Sequence, residues 1–279
     1  MNNKILVLSA TGNVGSPLVT VLIKNNNKVK AASRSGKDID GAEGVRFDFS
    51  APETYVPAFA DVKSVYIMLP TGFAGGVKTI IPIIELAKER GVKIVLQTAI
   101  EAAFDNNNPY IAIEEHLRKS SASYVIIRPT WFMDNFHIFW ADSIKKGDLR
   151  LPTENGKTAF IDTRDIAECG LSALSSNQFD GMTFNLTGKE ALSYQDAVDV
   201  FSKVLGRTIT YTSISDEEYI EQLVNSGMPR LNAGFFTHAL SEVRNGLVAE
   251  VYRDVEKLTG NPPRTLSDYA RDNQEKFTA

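Results

Sequence analysis

The first half of the chain alternates between two hydrophobic periods. Short apolar runs, "KILVLS", "KVKAAS", "VRFDF", "SVYIML", "KIVLQT" and "YVIIRP", have the length of buried strands. Between most of them lie stretches with apolar residues at helical spacing. Examples are Val14, Leu18, Val21 and Leu22 in "VGSPLVTVLIKN", the segments "PETYVPAF" and "IAIEEHLRKSS", and "GGVKTIIPIIELAKERG", which Gly91 is placed to stop. Strands joined through helices pair in parallel, because a parallel pair needs a long crossover and an antiparallel pair does not. The runs are continuously apolar, as expected when both faces of a sheet are covered. The expected class is α/β, a Rossmann-type doubly wound parallel sheet. The second half is less regular, with strand-like "MTFNLTG" and "RTITYTSI" and helix-like "SYQDAVDVFSKVLG", "SDEEYIEQLVNSG" and "TLSDYARDNQEKF". It reads as a smaller, mainly helical domain for substrate. The expected division is 1–130 and 131–279, with about 155–187 returning to the sheet.

Composition narrows the function. The chain has 279 residues, 43% of them hydrophobic, which supports a sizeable core. Its net charge is −4 and no basic stripe is present, which argues against a direct nucleic-acid partner. The single cysteine, Cys169, excludes an internal disulfide or a CxxC pair. His116, His137 and His238 lack metal-site spacing, so no metal is expected. The first apolar run is too short for a signal-peptide core and no later run could span a bilayer. A soluble cytoplasmic protein acting on a small molecule, with no membrane partner, is the expectation.

"SATGNVG", residues 9–15, follows the first strand and opens the first helix. A phosphate requires bare backbone N–H groups at a helix start and no side chain in the way. Gly12 lets the backbone approach a pyrophosphate, Gly15 lets the helix pack on the sheet, and Thr11, Asn13 and Val14 complete the loop. Ser9 stands where one common loop pattern has glycine, and is accommodated if it stays in the β region. At the end of the second strand an NAD site places an acid for the ribose 2′-hydroxyl. This chain instead has Arg34, with Ser35 and Lys37 beside it, so NADP(H) is favoured over NAD(H). Asp48 and Phe49, at the end of the third strand, are placed to touch adenine, although Phe49 could equally be core.

These residues resemble the NmrA-like group of atypical short-chain dehydrogenases/reductases. The resemblance covers nearly the whole chain, through "SATGNVG", "AASRSGK", "FDFS", "VKIVLQTA", "VIIRPTWFMDNF", "AFIDTRDIAE" and "LTGNPPRTLSDYA". It implies a Rossmann domain, a small C-terminal substrate domain and a nicotinamide cofactor. Similar members include quinone oxidoreductases, azo-dye and triphenylmethane-dye reductases, and a regulator that binds dinucleotide without turnover.

Typical short-chain dehydrogenases use a Ser or Thr after the fifth strand and a Tyr-x-x-x-Lys helix, whose lysine lowers the tyrosine pKa. Here Thr98 is present, Ala99 fills the place where many relatives have serine, and the helix reads Tyr110-Ile-Ala-Ile-Glu114. Glu114, on the face of Tyr110, is expected to raise the phenol pKa rather than lower it. Arg118 is one turn further, too far to stand in for the lysine. Removing a hydroxyl proton needs a base, so a nucleoside-diphosphate-sugar epimerase ranks below a reductase. Hydride transfer to a quinone or dye needs mainly a hydride held in line, with Tyr110 as a weak proton donor. The rival reading is a non-catalytic NAD(P) sensor acting through a protein partner. Leu69, Pro70 and Thr71 are expected along the cofactor's inner ribose and nicotinamide. Phe73, Phe104, Trp131, Met133, Asn135 and His137 are the candidate substrate pocket, with Phe104 on a lid. Phe132 and Trp140 are expected in the core, Asp162 and Asp165 as helix-start caps, and Cys169 as a buried inert thiol.

Overall fold

The computed structural model describes residues 3–39, 41–68, 76–100 and 108–278. The strands are β1 (Lys4–Val7), β2 (Lys28–Ser33), β3 (Glu43–Arg46), β4 (Val62–Met68), β5 (Lys93–Gln97), β6 (Tyr124–Pro129), β7 (Asp148–Leu151), β8 (Lys157–Thr158), β9 (Thr183–Leu186), β10 (Leu192–Ser193) and β11 (Thr210–Ser213). The helices are α1 (Gly15–Lys24), α2 (Tyr55–Ala58), α3 (Gly76–Glu89), α4 (Pro109–Lys119), α5 (Asn135–Phe139), α6 (Ala141–Lys146), α7 (Thr163–Ser175), α8 (Tyr194–Leu205), α9 (Asp216–Asn225), α10 (Arg230–Arg244), α11 (Asp254–Thr259) and α12 (Leu266–Asp272). Among the described residues no helix is long and apolar enough to cross a membrane.

The chain divides into two compact units. The first comprises 1–129, 163–186 and 254–261, and the second 130–162, 187–253 and 262–279. The first unit holds a seven-stranded sheet in the order β3-β2-β1-β4-β5-β6-β9, parallel throughout. Strand order reverses between β1 and β4, and in such sheets ligands sit beyond the carboxyl ends of the strands at that point. The alternation along β1 separates the two faces. Leu6 and Leu8 join the core formed with Ile80, Ile83 and Ile84 of α3 and Ile113 and Leu117 of α4. In the same unit α1 packs on α7, and α7 on α11. Cys169, within α7, is fully buried, and burial pushes its thiol well above the ordinary range, which makes it inert at neutral pH.

Among the described residues the second unit contains the parallel pair β7/β11, the antiparallel pair β8/β10 and six α-helices. Three of these start with a capping box: Ser193 with Asp196, Ser215 with Glu218, and Thr265 with Asp268. The unit's core is aromatic. The Phe136 ring lies 4.9 Å from Phe201, 5.1 Å from Phe160 and 5.5 Å from Trp140.

Two sequence readings are corrected at this level. The third strand ends at Arg46, so "FDFS" follows it rather than forming its end. α10, the longest helix among the described residues at 15 residues, is absent from the pattern reading. Its buried stripe is Ala233, Thr237, Leu240 and Val243, while Leu231 and Phe235 stay exposed, so apolar residues occupy both faces and blur the period.

Candidate functional site

β1 delivers the chain into a turn tied to its neighbours on both sides. The Leu8 amide donates to the Tyr66 carbonyl (3.1 Å) and the Ala10 amide to the Ala32 carbonyl (3.0 Å). Between them Ser9 adopts φ +55°, in the left-handed region, so the expectation that it stays in the β region is corrected. The turn imposes this conformation, because the Ser9 carbonyl must face inward to accept the Gly12 amide (2.9 Å). A Cβ on Gly12 would lie 3.2 Å from that carbonyl oxygen, whereas one on Gly15 would lie 2.2 Å from it and 2.9 Å from the Ala10 Cα. α1 then begins with Val14 at the N-cap, no side-chain cap and no acidic residue in its first turn. An uncapped helix start with bare glycine beside it suits an anionic diphosphate. Ser9→Gly should therefore raise stability by about 0.5–1 kcal/mol. The strain of a left-handed serine costs more than the added freedom of glycine in the unfolded chain. Urea unfolding checks this, and an unchanged or lower midpoint would mean that Ser9 makes a compensating contact.

At the end of β2, Ser33 Oγ accepts the Gly36 amide (3.1 Å) and lies 3.2 Å from Ser35 Oγ, forming a tight turn. Arg34 and Lys37 project from it into solvent, and no carboxylate pairs with either among the described residues. After β3, Phe47 stacks on Tyr55 (4.9 Å) and meets Phe49 edge-on (5.1 Å). Phe49 is thus partly core, and half-buried. Asp48 Oδ1 accepts the Ser50 amide (2.9 Å). Leu69, Pro70, Thr71, Phe73 and Phe104 lie outside the described residues.

The chemistry around α4 differs from the sequence expectation. Glu114 is 1% exposed and its carboxylate is surrounded by donors. Thr98 Oγ1 donates at 2.6 Å, Arg128 Nε at 3.0 Å, Arg118 Nη2 at 2.8 Å, and Arg128 Nη2 makes a further short contact. Burial alone would push the carboxyl up. The bonds from Arg128 and Thr98, with the charges of Arg128 and Arg118, outweigh it and hold the pKa below the ordinary carboxylate value. Glu114 is therefore not the cause of a raised Tyr110 pKa, which burial raises by itself. Asn108 caps the start of α4, its Oδ1 accepting the Tyr110 amide (2.9 Å), and the Tyr110 ring packs against the core of the first unit. Arg118, judged too far away to take the lysine's role, instead serves Glu114. Sequence reasoning missed Arg128. Its signal was a charge inside the otherwise apolar strand "YVIIRP".

In the second unit the stretch "WFMDNFHIFW" divides by burial. Met133, Phe136 and Trp140 are interior, Met133 at 2% exposure, while Trp131, Asn135 and His137 are half-buried and Phe139 is exposed. Trp140 is core, as expected. Phe132, expected in the core, is only half-buried; its backbone forms a parallel bridge with Ile161. His137 Nδ1 pairs with the buried Tyr269 hydroxyl, and burial, with the nearby Lys276 charge, lowers its pKa. Phe139 packs edge-on against Phe236 of α10 (4.6 Å), a neighbour that sequence reasoning did not place there. In the first unit, Asp162's successor Thr163 begins α7, and Asp165 lies in that helix's first turn. Both aspartates are buried.

A model of the NmrA-like family matches residues 1–270. The chain belongs to the NmrA-like family. This NmrA-like protein is 30% identical over 279 residues to the uncharacterized oxidoreductase YesF of Bacillus subtilis (strain 168), with 99% of this chain and 97% of that one covered. It is 28% identical to the NAD(P)H azoreductase of Xenophilus azovorans, with 99% of each covered. Its fold matches the NADPH-dependent quinone oxidoreductase QOR2 of Escherichia coli, solved with NADPH, at a TM-score of 0.84 and 20% identity. That match covers 96% of this chain and 99% of the other.

Proposed function

We propose that this protein is an NAD(P)H-dependent oxidoreductase that prefers NADP(H) and reduces a small electron-poor acceptor, such as a quinone or a dye. The observation that carries the reading is the uncapped start of α1 behind a glycine turn, at the carboxyl edge of a sheet whose order reverses there. Thr11, Gly12, Asn13, Val14 and Gly15 would hold the diphosphate. Arg34, with Ser35 and Lys37, would hold the 2′-phosphate, with Asp48 and Phe49 beside the adenine. The cofactor supplies a hydride when bound. The residues of the chain position it and exclude competing chemistry. No lysine stands four residues after Tyr110, and Glu114 is occupied by arginines, so that position does not lower the phenol pKa, which burial raises. A buried tyrosine with a raised pKa is a poor base, which disfavours alcohol oxidation and leaves Tyr110 at most a weak donor. Trp131, Asn135 and His137 in the second unit are the proposed acceptor contacts.

The test titrates NADPH and NADH into wild type and Arg34→Ala. The variant should lose about 1.5–3 kcal/mol of NADPH binding that NADH does not lose, the worth of a charge-assisted hydrogen bond. Equal losses would show that Arg34 does not read the 2′-phosphate. Wild type should then oxidise NADPH with quinones or azo dyes. Tight NADPH binding without turnover across that panel would overturn the enzyme reading in favour of a dinucleotide sensor.

A further inference from the structure

The buried carboxylate of Glu114 fixes the hydrogen-bonding sense of Thr98. An ionised carboxylate accepts and cannot donate, so in the 2.6 Å contact the Thr98 hydroxyl must give its only proton to Glu114 Oε1. The hydroxyl oxygen keeps its lone pairs. Arg128 binds both oxygens of Glu114 and Arg118 binds one, which keeps the group charged inside the protein. Thr98 itself is anchored, because its amide donates to the Ile127 carbonyl (3.0 Å) on the adjacent strand β6. It follows the last residue of β5, at the carboxyl edge where open α/β sheets receive ligands. One residue from each of β6, α4 and the end of β5 therefore meets at this edge.

We infer that Glu114, held by Arg128, locks Thr98 as a hydrogen-bond acceptor toward the nicotinamide half of the bound cofactor. Thr98 thereby selects a donor there, a ribose hydroxyl or the carboxamide N–H. Glu114 and Arg128 are positioning residues that act through Thr98. A lysine in place of Glu114 would reverse the polarity, since an ammonium donates to the hydroxyl oxygen and frees its proton. The residue four positions after Tyr110 thus serves the neighbouring strand rather than the tyrosine. This inference rests on the oxidoreductase reading above.

The experiment measures NADPH affinity by fluorescence titration, and thermal unfolding, for wild type, Thr98→Val, Thr98→Ser and Glu114→Gln. Thr98→Val keeps the shape and removes the acceptor, and should weaken NADPH about tenfold. Thr98→Ser should restore affinity to within about twofold, because the hydroxyl returns. Glu114→Gln, whose amide can itself donate to Thr98, should weaken NADPH in the folded protein by about threefold or more. The 3-acetylpyridine analogue of NADPH, which lacks the carboxamide N–H, separates the two donors. A Thr98→Val effect lost with the analogue identifies the carboxamide, and an equal effect identifies the ribose, and either result supports the inference. A purely structural role would lower the unfolding temperature of Glu114→Gln while leaving its affinity at the wild-type value, and would overturn it. So would a folded Thr98→Val that binds NADPH like wild type. Failure of wild type to bind NADPH would overturn the oxidoreductase reading itself, a distinct result.

Discussion

Gly15→Ala should destabilise the protein by about 3 kcal/mol, at the upper end of what one added methyl costs in a packed site. The new Cβ would lie 2.2 Å from the Ser9 carbonyl oxygen and 2.9 Å from the Ala10 Cα, and both are backbone atoms with no rotamer to yield. The turn is held by the Leu8 and Ala10 amides, so α1 must move away from the sheet instead. NADPH affinity should fall at least a hundredfold with it, since the helix start is the proposed diphosphate site. Gly12→Ala separates the two roles. Its Cβ would meet the same oxygen at 3.2 Å, which a few tenths of an ångström relieve. Stability should then stay within about 1 kcal/mol of wild type, while the methyl intrudes where the diphosphate approaches. Urea unfolding and NADPH titration of both variants check this. A Gly12→Ala protein with undiminished affinity would remove the loop from the cofactor site.

Arg128→Met should cost roughly 3 kcal/mol at neutral pH, the lower end of the range for breaking a buried ion pair. The lower end applies because Arg118 still reaches Glu114, although from an exposed position. The pH dependence supplies a second signature. In wild type the Glu114 pKa is depressed in the folded state, so its contribution is present above the unfolded carboxylate value and is lost as pH falls through the folded one. In the variant the strongest opposing partner is gone and burial pushes the carboxyl up, so folding takes up a proton. The variant's deficit should therefore shrink as pH is lowered from neutrality toward the ordinary carboxylate range. Denaturant midpoints across that pH interval measure both curves. Parallel curves would mean that Glu114 titrates alike in both proteins, so that Arg128 is not what holds its charge.

The sheet was legible because its signal is local. A strand buried on both faces is apolar along its middle, and in β5 Ile94, Val95 and Leu96 are buried, with Lys93 and Gln97 at its two ends. A helix start with no cap and two glycines is also local, and the turn after β2 follows from Ser33, Ser35 and Gly36 alone. The aromatic stretch after β6 was read less well. Seen as a string, Met133 and His137 are equivalent pocket candidates, but only the packing of Phe136 against Phe160 and Phe201 decides that Met133 faces inward. α10 was missed because a helix with apolar residues on both faces has no clear period.

The amino-acid sequence by itself determined the strand–helix alternation, the position of the glycine turn and the replacement of an acid by Arg34. Each depends on neighbours within a few residues, and backbone sterics and hydrophobic period act at that range. Only the tertiary structure decided the sense of the chemistry at α4. Glu114, read along the helix, is a negative charge one turn from Tyr110. In the folded chain it is a charged anchor paired with Arg128, which arrives from β6, and hydrogen-bonded by Thr98 from the end of β5. Likewise, nothing in the residue Ser9 dictates a left-handed backbone. The turn imposes it, since the amides on either side of Ser9 are already committed to β4 and β2.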